Sequence, residues 1–529
     1  MFEGHVPQGV RVQIPARAEV MIPKHIFREY DIRGLADTEL TDEASRLIGK
    51  AFGTELARPA AQAAGAGQGK RPKTPPNKAL PRTQTVGVGC DLRPSSERIR
   101  RGLIEGLLAT GARVLDLGLI PTPLLYFAIV HFGIDAGVSI TGSHNPPEYN
   151  GFKFQLADRP FYGADIRRLA EWIGRQTRRP AEEETGTGGE KKKGRKREGE
   201  GEGRGEEGGK GKVETVDVIQ PYLAQLKKQF RYSRKRKIVI DSGHAMSALV
   251  APKLFRELGQ EVVELYTNLD PTFPDHHPDP SVPKNLEDLA REVKRTNASI
   301  GIAFDGDADR IGVVDELGSI LPCDRLLLIY ARQVLGKNNG ATIVGDVKCS
   351  PLLYEDIARQ GGRPILWKTG HSLIKAKMKE AKALLGGELS GHMFFADRWY
   401  GFDDAIYAAC RILEILDEEK RPLSELSCDL PRMFSTPEIR LECTDDGKKF
   451  EIVRKVVGDL KRDWGRFRGE NRPRIIDLDG ARIEFPDGWG LIRASNTQPV
   501  LVMRFEATSE KRLAEIRSLI EGKIKKYGG

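Results

Sequence analysis

Short β-branched runs alternate with amphipathic segments along most of this chain, and that rhythm restricts its fold more than any other feature. "KIVIDSG" (237–243) ends in a turn, and the spacing of "SALVAPKLFRELG" (247–259), with its glycine stop, predicts a helix. "EVVELY" (261–266) is a further strand, while "ASIGIAF" (298–304) and "RIGVVDE" (310–316) flank a loop. "ATIVGDV" (341–347), "LLYEDIARQGG" (352–362) and "PILWKTG" (364–370) repeat the pattern. Such alternation specifies α/β domains with largely parallel sheets. The C-terminal segment differs: "ARIEFPDG" and "VLVMRFEA" precede one long helix, "SEKRLAEIRSLIEGKIKKY", which predicts an α+β closing domain.

At 529 residues the chain exceeds one ordinary core and implies three or four domains. Two stretches stand apart by composition. Residues 57–83 are rich in Ala, Gly and Pro, with almost no large apolar side chain, and predict a solvated loop. Residues 181–212 hold nine Glu, nine Lys or Arg and eleven Gly, too little apolar surface to offset the entropy of ordering. That insert carries no net charge, so the chain's +9 lies elsewhere. A basic surface suits an anionic small molecule as well as nucleic acid, and "KKKGRKR" (191–197) has no aromatic platform beside it for reading RNA. Nucleic acid is therefore not the expected partner. No apolar run approaches the ~18 residues of a spanning helix, and the N-terminus lacks a basic region followed by an apolar one. Six scattered cysteines without a C-x-x-C pair suggest free thiols in a reducing cytosol. The expectation is a cytoplasmic monomer without membrane contact.

Four polar loops carry the chemistry. In "SITGSHNPPEYNGFK" (139–153) an apolar run gives way to Ser143 at a strand end, where ligand sites form in open α/β sheets. Pro146 and Pro147 each fix a φ angle and remove a backbone donor, so the loop holds Ser143 still. His144 could polarise the hydroxyl or bind phosphate, and Lys153 could supply charge or move a proton; a capped turn with an incidental serine is the plainer alternative. In "FDGDADR" (304–310), Asp305, Asp307 and Asp309 share one side if the segment is extended, and three such carboxylates repel unless a cation sits among them. An EF-hand is not the expected geometry: Glu316 falls at loop position 12, but the position that demands glycine is Arg310, and the flanks are strand-like. A Mg²⁺ site with open positions for a phosphate oxygen fits better. "GGELSGHMFFADRWYGFDDA" (386–405) places Glu388 and Ser390 where they can bond two vicinal sugar hydroxyls, whereas His392, beside Met393-Phe394-Phe395, is expected to be a packed histidine. "IRASNTQPVLVMRFEA" (492–507) gathers Arg493, Ser495, Asn496, Thr497 and Arg504 around a turn as an anion cradle.

Together these loops resemble the α-D-phosphohexomutase family, and most closely its bacterial phosphomannomutase/phosphoglucomutase branch. The order is that of the family: "TGSHNPP", "DGDADR", "GELSGH", "RASNTQP". "IFREYDIRG" (26–34), "FPDHHPDPSVPKNL" (273–286), "DVKCS" (346–350) and "WKTGHSLIK" (367–375) are similar to family segments as well.

The resemblance implies four domains around a central cleft: three similar α/β mixed-sheet domains and a C-terminal α+β domain. The expected division is an N-terminal extension (1–20), a phosphoserine domain (21–180), the insert (181–212), a metal-binding domain (213–319), a sugar-binding domain (320–431) and a phosphate-binding domain (432–529). Ser143 would carry a phosphoryl group, with Mg²⁺ held by Asp305, Asp307, Asp309 and a phosphoserine oxygen. The substrate phosphate would sit on Arg493, Ser495, Asn496 and Thr497, with Tyr30, Arg33, Lys348 and His371 nearby. Hexose 1- and 6-phosphates of mannose, glucose or both would interconvert through a hexose 1,6-bisphosphate, with Arg310 meeting developing charge and Lys153 as general acid/base. Arg93 in "GCDLRPSS" (89–96) is expected to contribute slightly, and His244 to be structural. A Mg²⁺-dependent sugar phosphatase is the rival reading, because the same residues could release phosphate to water.

Overall fold

A computed structural model describes residues 22–58, 83–177, 211–443, 446–464, 473–495 and 499–527. The expected N-terminal extension, nearly all of both low-complexity stretches, and Asn496 and Thr497 of the phosphate loop lie outside the described residues.

The first sheet has the order β1-β5-β4-β2-β3-β6. It comprises β1 (Ile32–Leu35), β2 (Thr85–Cys90), β3 (Arg113–Leu119), β4 (Ala136–Ile140), β5 (Tyr149–Leu156) and β6 (Val213–Thr215). β2 runs parallel to β3 and β4, and β5 turns back antiparallel to β4. "AGVSI" in β4 is buried throughout, as a parallel strand covered on both faces must be. The second sheet, ordered β11-β10-β9-β7-β8, repeats the plan with β7 (Lys237–Asp241), β8 (Glu261–Leu265), β9 (Ile300–Phe304), β10 (Ile311–Asp315) and β11 (Ile320–Leu321). The third, ordered β13-β12-β14-β15, is built from β12 (Thr342–Asp346), β13 (Arg363–Trp367), β14 (Leu385–Gly387) and β15 (Met393–Phe395). The chain closes in an antiparallel sheet of β16 (Phe434–Ser435), β17 (Ile439–Glu442), β18 (Arg474–Ile476), β19 (Ala481–Phe485), β20 (Gly488–Ala494) and β21 (Val500–Ala507), followed by the helix Glu510–Lys525. Three α/β domains and a C-terminal α+β domain are thus present, as expected.

The first three sheets share one device. A buried parallel strand is followed by a loop and then by an antiparallel strand: β4 to β5, β9 to β10, and β14 to β15. These three loops are "TGSHNPPE", "DGDADR" and "ELSGH"; the fourth sheet places "SNTQP" between antiparallel β20 and β21. Equivalent loops of the first three sheets therefore converge, and β20 brings Arg493 and Ser495 to the same cleft.

Two domain limits differ from expectation. β6 pairs with β3, so Val213–Thr215 belongs to the first sheet and not to the second domain. β11 pairs with β10, so the second sheet continues past residue 319 to Leu321. Sheet membership is a long-range property that composition does not carry. Likewise "SALVAPKLFRELG" is not one helix: a 3-10 turn (Met246–Leu249) precedes the helix Ala251–Glu257, because Pro252 cannot donate into a preceding turn and starts a new helix instead.

One continuous apolar core runs from the helix Thr122–His131 through the second and third domains, whereas the fourth has its own core around Val456, Ile483, Leu501 and Phe505. The third and fourth domains meet through Val347, Trp489 and Leu491.

Candidate active site

Ser143 follows β4 and has φ +49, a left-handed conformation uncommon for a residue with a β-carbon. Its surroundings hold it there. Thr141 Oγ1 accepts from Ser143 N at 2.7 Å, and the buried Arg93 donates to the carbonyls of Ser143, Asn145, Pro146 and Tyr149 while Asp91 fixes its Nε. Arg93 clamps the loop from behind and does not reach the cleft, a larger structural part than the sequence suggested. Arg33 braces the same loop from β1 by donating to Asn145 Oδ1 at 2.8 Å.

The aspartate loop lies against the serine loop. A Cβ at Gly306 would sit 2.2 Å from Ser143 O, so only glycine permits the approach. Ser143 Oγ donates to Asp305 Oδ2 at 2.9 Å. The triplet is not extended, as strand alternation had predicted; it is a turn with Ala308 at φ +61, and the turn itself brings the three carboxylates together. One oxygen from each lies within 4.8 Å of the others, all three residues are buried, and Asp307 Oδ1 and Asp309 Oδ1 have no hydrogen-bond partner. Burial first, and then Asp309 and Asp307, push the Asp305 carboxyl up to about 7. Unpaired, crowded, hard oxygen donors are what a small divalent cation satisfies, so the residues fit Mg²⁺.

Lys153, on β5, contacts Asp307 Oδ2 at 2.6 Å and Asp309 Oδ2 at 2.5 Å. Burial alone would lower its pKa, but Asp307, Asp309 and Asp305 outweigh that and raise it, so Lys153 is held as a cation. Arg310 joins Asp305 at 3.0 Å to Asp279 at 3.1 Å. His144 Nδ1 lies 3.2 Å from Ser143 Oγ; burial, then Arg310, hold its pKa low and keep the ring neutral.

The opposite wall comes from the third and fourth domains. Glu388 Oε1 accepts from Gly370 N at 2.6 Å, and Ser390 stands beside it in the cleft. Lys348 pairs with Glu438 at 3.2 Å, and Arg493 with Asp479 at 3.0 Å. The cavity, about 170 Å³, is lined by Tyr30, Arg33, Ser143, His144, Lys153, Arg310, Lys348, His371, Glu388, Ser390, Arg493 and Ser495. The aspartate triplet lies buried behind Ser143 and Lys153 and does not line the cavity; the other nominated residues within the described chain do, with one exception. Arg504 is a correction: its guanidinium donates to Asp324 Oδ2 at 3.0 Å and to the Lys348 carbonyl, over the Trp489 ring, and does not line the cleft. β21 carries it toward the third domain, so it joins the two domains instead of binding a ligand.

His392 corrects the sequence reading in the other direction. It lines the cleft, with Nδ1 3.1 Å from Asp403 and 3.6 Å from Asp309. Its neighbours Met393, Phe394 and Phe395 are buried on β15, but Gly391 at φ +99 turns the chain before that strand. The only available signal was its place in the same loop as Glu388 and Ser390. Glu438, Arg440 and Asp279 were also missed, the last within "FPDHHPDP", a segment noted without an assigned role.

Four family models, described as phosphoglucomutase/phosphomannomutase α/β/α domains I, II and III and the C-terminal domain, match residues 74–177, 220–318, 322–434 and 438–523 in that order. The chain belongs to the phosphoglucomutase/phosphomannomutase family. Within it, a phosphomannomutase/phosphoglucomutase of Pseudomonas aeruginosa is 41% identical over 505 residues, covering 95% of this chain and 96% of the relative. A phosphoglucomutase of Neisseria meningitidis is 38% identical over 503 residues, covering 95% and 97%. The crystal structure of a family protein from Burkholderia thailandensis superposes with a TM-score of 0.79 at 39% identity, covering 96% of this chain and 98% of the other. As a phosphoglucomutase/phosphomannomutase family member, the protein is a phosphohexomutase, an intramolecular phosphotransferase that works through a phosphoserine and a hexose bisphosphate. Among the described residues no helix is long and apolar enough to cross a membrane.

Proposed function

We propose that this phosphohexomutase interconverts the 1- and 6-phosphates of both mannose and glucose, with Ser143 as phosphoryl carrier and Mg²⁺ on Asp305, Asp307 and Asp309. The observation that carries the assignment is the 2.9 Å contact of Ser143 Oγ, which lines the cleft where all four domains meet, with the buried Asp305 behind it. The relatives named for both sugars, similar over nearly the full length, support the double specificity.

When bound, Mg²⁺ supplies positive charge against the phosphoryl oxygens. The chain's own residues do the rest. Arg93 and Thr141 fix the backbone of Ser143, so that its Oγ holds one position for an in-line transfer. Arg310, anchored by Asp279, presents a guanidinium to the transferring group. Lys153 gives its proton to Ser143 Oγ as the phosphoryl group leaves, and recovers it when the serine attacks the bisphosphate. Arg493 and Ser495, with Tyr30 and Lys348, hold the distal phosphate, while Glu388 and Ser390 bond the sugar hydroxyls. Because the intermediate must turn within the cleft, the distal cradle accepts either end of it. Lining from four domains encloses the bound sugar against water, which favours transfer over hydrolysis.

The test is turnover on mannose, glucose and glucosamine 1-phosphates, with Mg²⁺ and a trace of hexose 1,6-bisphosphate. Comparable formation of mannose and glucose 6-phosphates, absent with chelator, is expected. Inorganic phosphate as the main product would replace the mutase by the phosphatase reading; turnover of one sugar alone would remove the double specificity.

A further inference from the structure

The segment "FPDHHPDP" (273–280) belongs to the second domain, between β8 and β9, yet it reaches the serine loop of the first. His277 Nε2 donates to the carbonyl oxygen of His144, the residue after Ser143. Three successive carbonyls of that loop are thus divided between two domains. Those of Ser143 and Asn145 go to Arg93 Nη2, from the first domain. The His144 carbonyl between them goes to His277, from the second. A carbonyl only accepts, so the hydrogen of a neutral His277 ring sits on Nε2.

The segment is built to hold that ring. Pro274, Pro278 and Pro280 each fix a φ angle. Phe273, at φ +51, lies edge-on to His277, with centroids 6.3 Å apart and planes at 87°, and its ring centre is 5.8 Å from the Arg93 guanidinium carbon. His276 spans from Asp241 Oδ2 to the His277 carbonyl, 3.0 Å from each, and Asp279 N donates to the same carbonyl at 2.8 Å. Asp279 then anchors Arg310 at 3.1 Å. His277 itself does not line the cleft.

Chemistry sets this contact apart from the bond between Ser143 and Asp305. Once Ser143 Oγ carries a phosphoryl group it has no hydrogen to donate, and the 2.9 Å bond to Asp305 is lost. The bond from His277 to a backbone carbonyl involves no reacting atom and is available in both states. Thr122 N also joins the first domain to the Asp307 carbonyl, at 2.9 Å, but from a helix and not from the serine loop.

We propose that His277 is a positioning residue of the phosphoryl transfer: by holding the His144 carbonyl it keeps the serine loop of the first domain in register with the aspartate loop of the second, whether or not Ser143 is phosphorylated. This rests on the reading of Ser143 as phosphoryl carrier. The ring touches neither substrate nor reacting atoms, so its loss slows transfer and leaves substrate affinity nearly unchanged.

His277→Leu removes the donor, and His277→Gln restores an N–H close to the position of Nε2. On a hexose 1-phosphate, kcat is expected to fall ~10-fold or more in the leucine variant with KM within ~3-fold, and to recover to within ~3-fold of the unmodified rate in the glutamine variant. Single-turnover transfer from the isolated phosphoenzyme should slow by the same factor. Equal losses in the two variants would overturn the proposal, and so would an unchanged kcat in His277→Leu, even with a lower melting temperature, since the contact would then be structural only. Ser143→Ala in the same assay separates the proposal from the reading beneath it. If that variant is inactive while His277→Leu is unimpaired, only the role of His277 falls; full activity in Ser143→Ala would remove both. Should His277→Leu fail to fold, nitrogen-15 correlation spectra of the unmodified protein, assigned with His277→Gln, decide the matter: hydrogen on His277 Nε2 is expected, and a bare Nε2 would overturn the role.

Discussion

Ser143 Oγ donates to Asp305 Oδ2 across 2.9 Å, although 162 positions separate the two residues along the chain. The contact joins two domains through loops that leave equivalent strands of similar sheets. It places a hydroxyl on the edge of a buried carboxylate cluster, where the hydroxyl and a divalent cation can share one phosphoryl group.

Ser143→Ala removes the atom that carries the phosphoryl group. Turnover is expected to fall by ~10⁴-fold or more, with folding intact because the side chain is small. The steady-state rate on a hexose 1-phosphate checks this; a rate near that of the unmodified protein would dismiss the phosphoserine assignment.

Arg93→Lys keeps the charge but loses the planar fork that spans the loop carbonyls. Release of the loop should cost ~10²-fold in kcat, since small misplacements of a reacting atom are expensive, with little change in KM. An unaltered kcat would show that the turn holds itself.

Arg493→Ala and Arg504→Ala should differ in kind. The first opens the phosphate cradle and is expected to raise KM ~10-fold or more with little change in melting temperature. The second leaves Asp324 buried without its cation, a loss of ~3–5 kcal/mol that calorimetry would register as a lower melting temperature. A reversal of the two patterns would restore Arg504 to the binding site.

Lys348, ahead of burial, lowers the Glu438 carboxyl to about 2. A depressed acid stabilises the fold above its unfolded pKa and loses that contribution as pH falls toward its folded one. Glu438→Gln is therefore expected to be less stable by on the order of 2–3 kcal/mol at neutral pH, and the gap in melting temperature should narrow below about pH 4.5. A gap independent of pH would mean that the Lys348 pair is not its source.

Much of the site was legible because each motif is local. "TGSHNPP" places a serine among rigid neighbours, and "DGDADR" places three carboxylates within five residues. The misreadings concern residues whose role depends on direction. Arg504 follows the phosphate loop by a few positions, but the path of β21 takes its side chain to Asp324. His392 sits beside a run of apolar residues, but the turn at Gly391 leaves its ring at the cleft.

The sequence by itself determined the α/β rhythm, the closing α+β domain, the chemistry of each loop and, through motif order, the family. Those features rest on periodicity and on functional groups only a few residues apart. Tertiary structure alone decided that β6 completes the first sheet, that Arg93 and Arg504 are clamps, and that His277 meets the serine loop from another domain. Contacts of that kind span tens to hundreds of positions, and what selects them is the joint burial and pairing of groups that no local window of the chain contains.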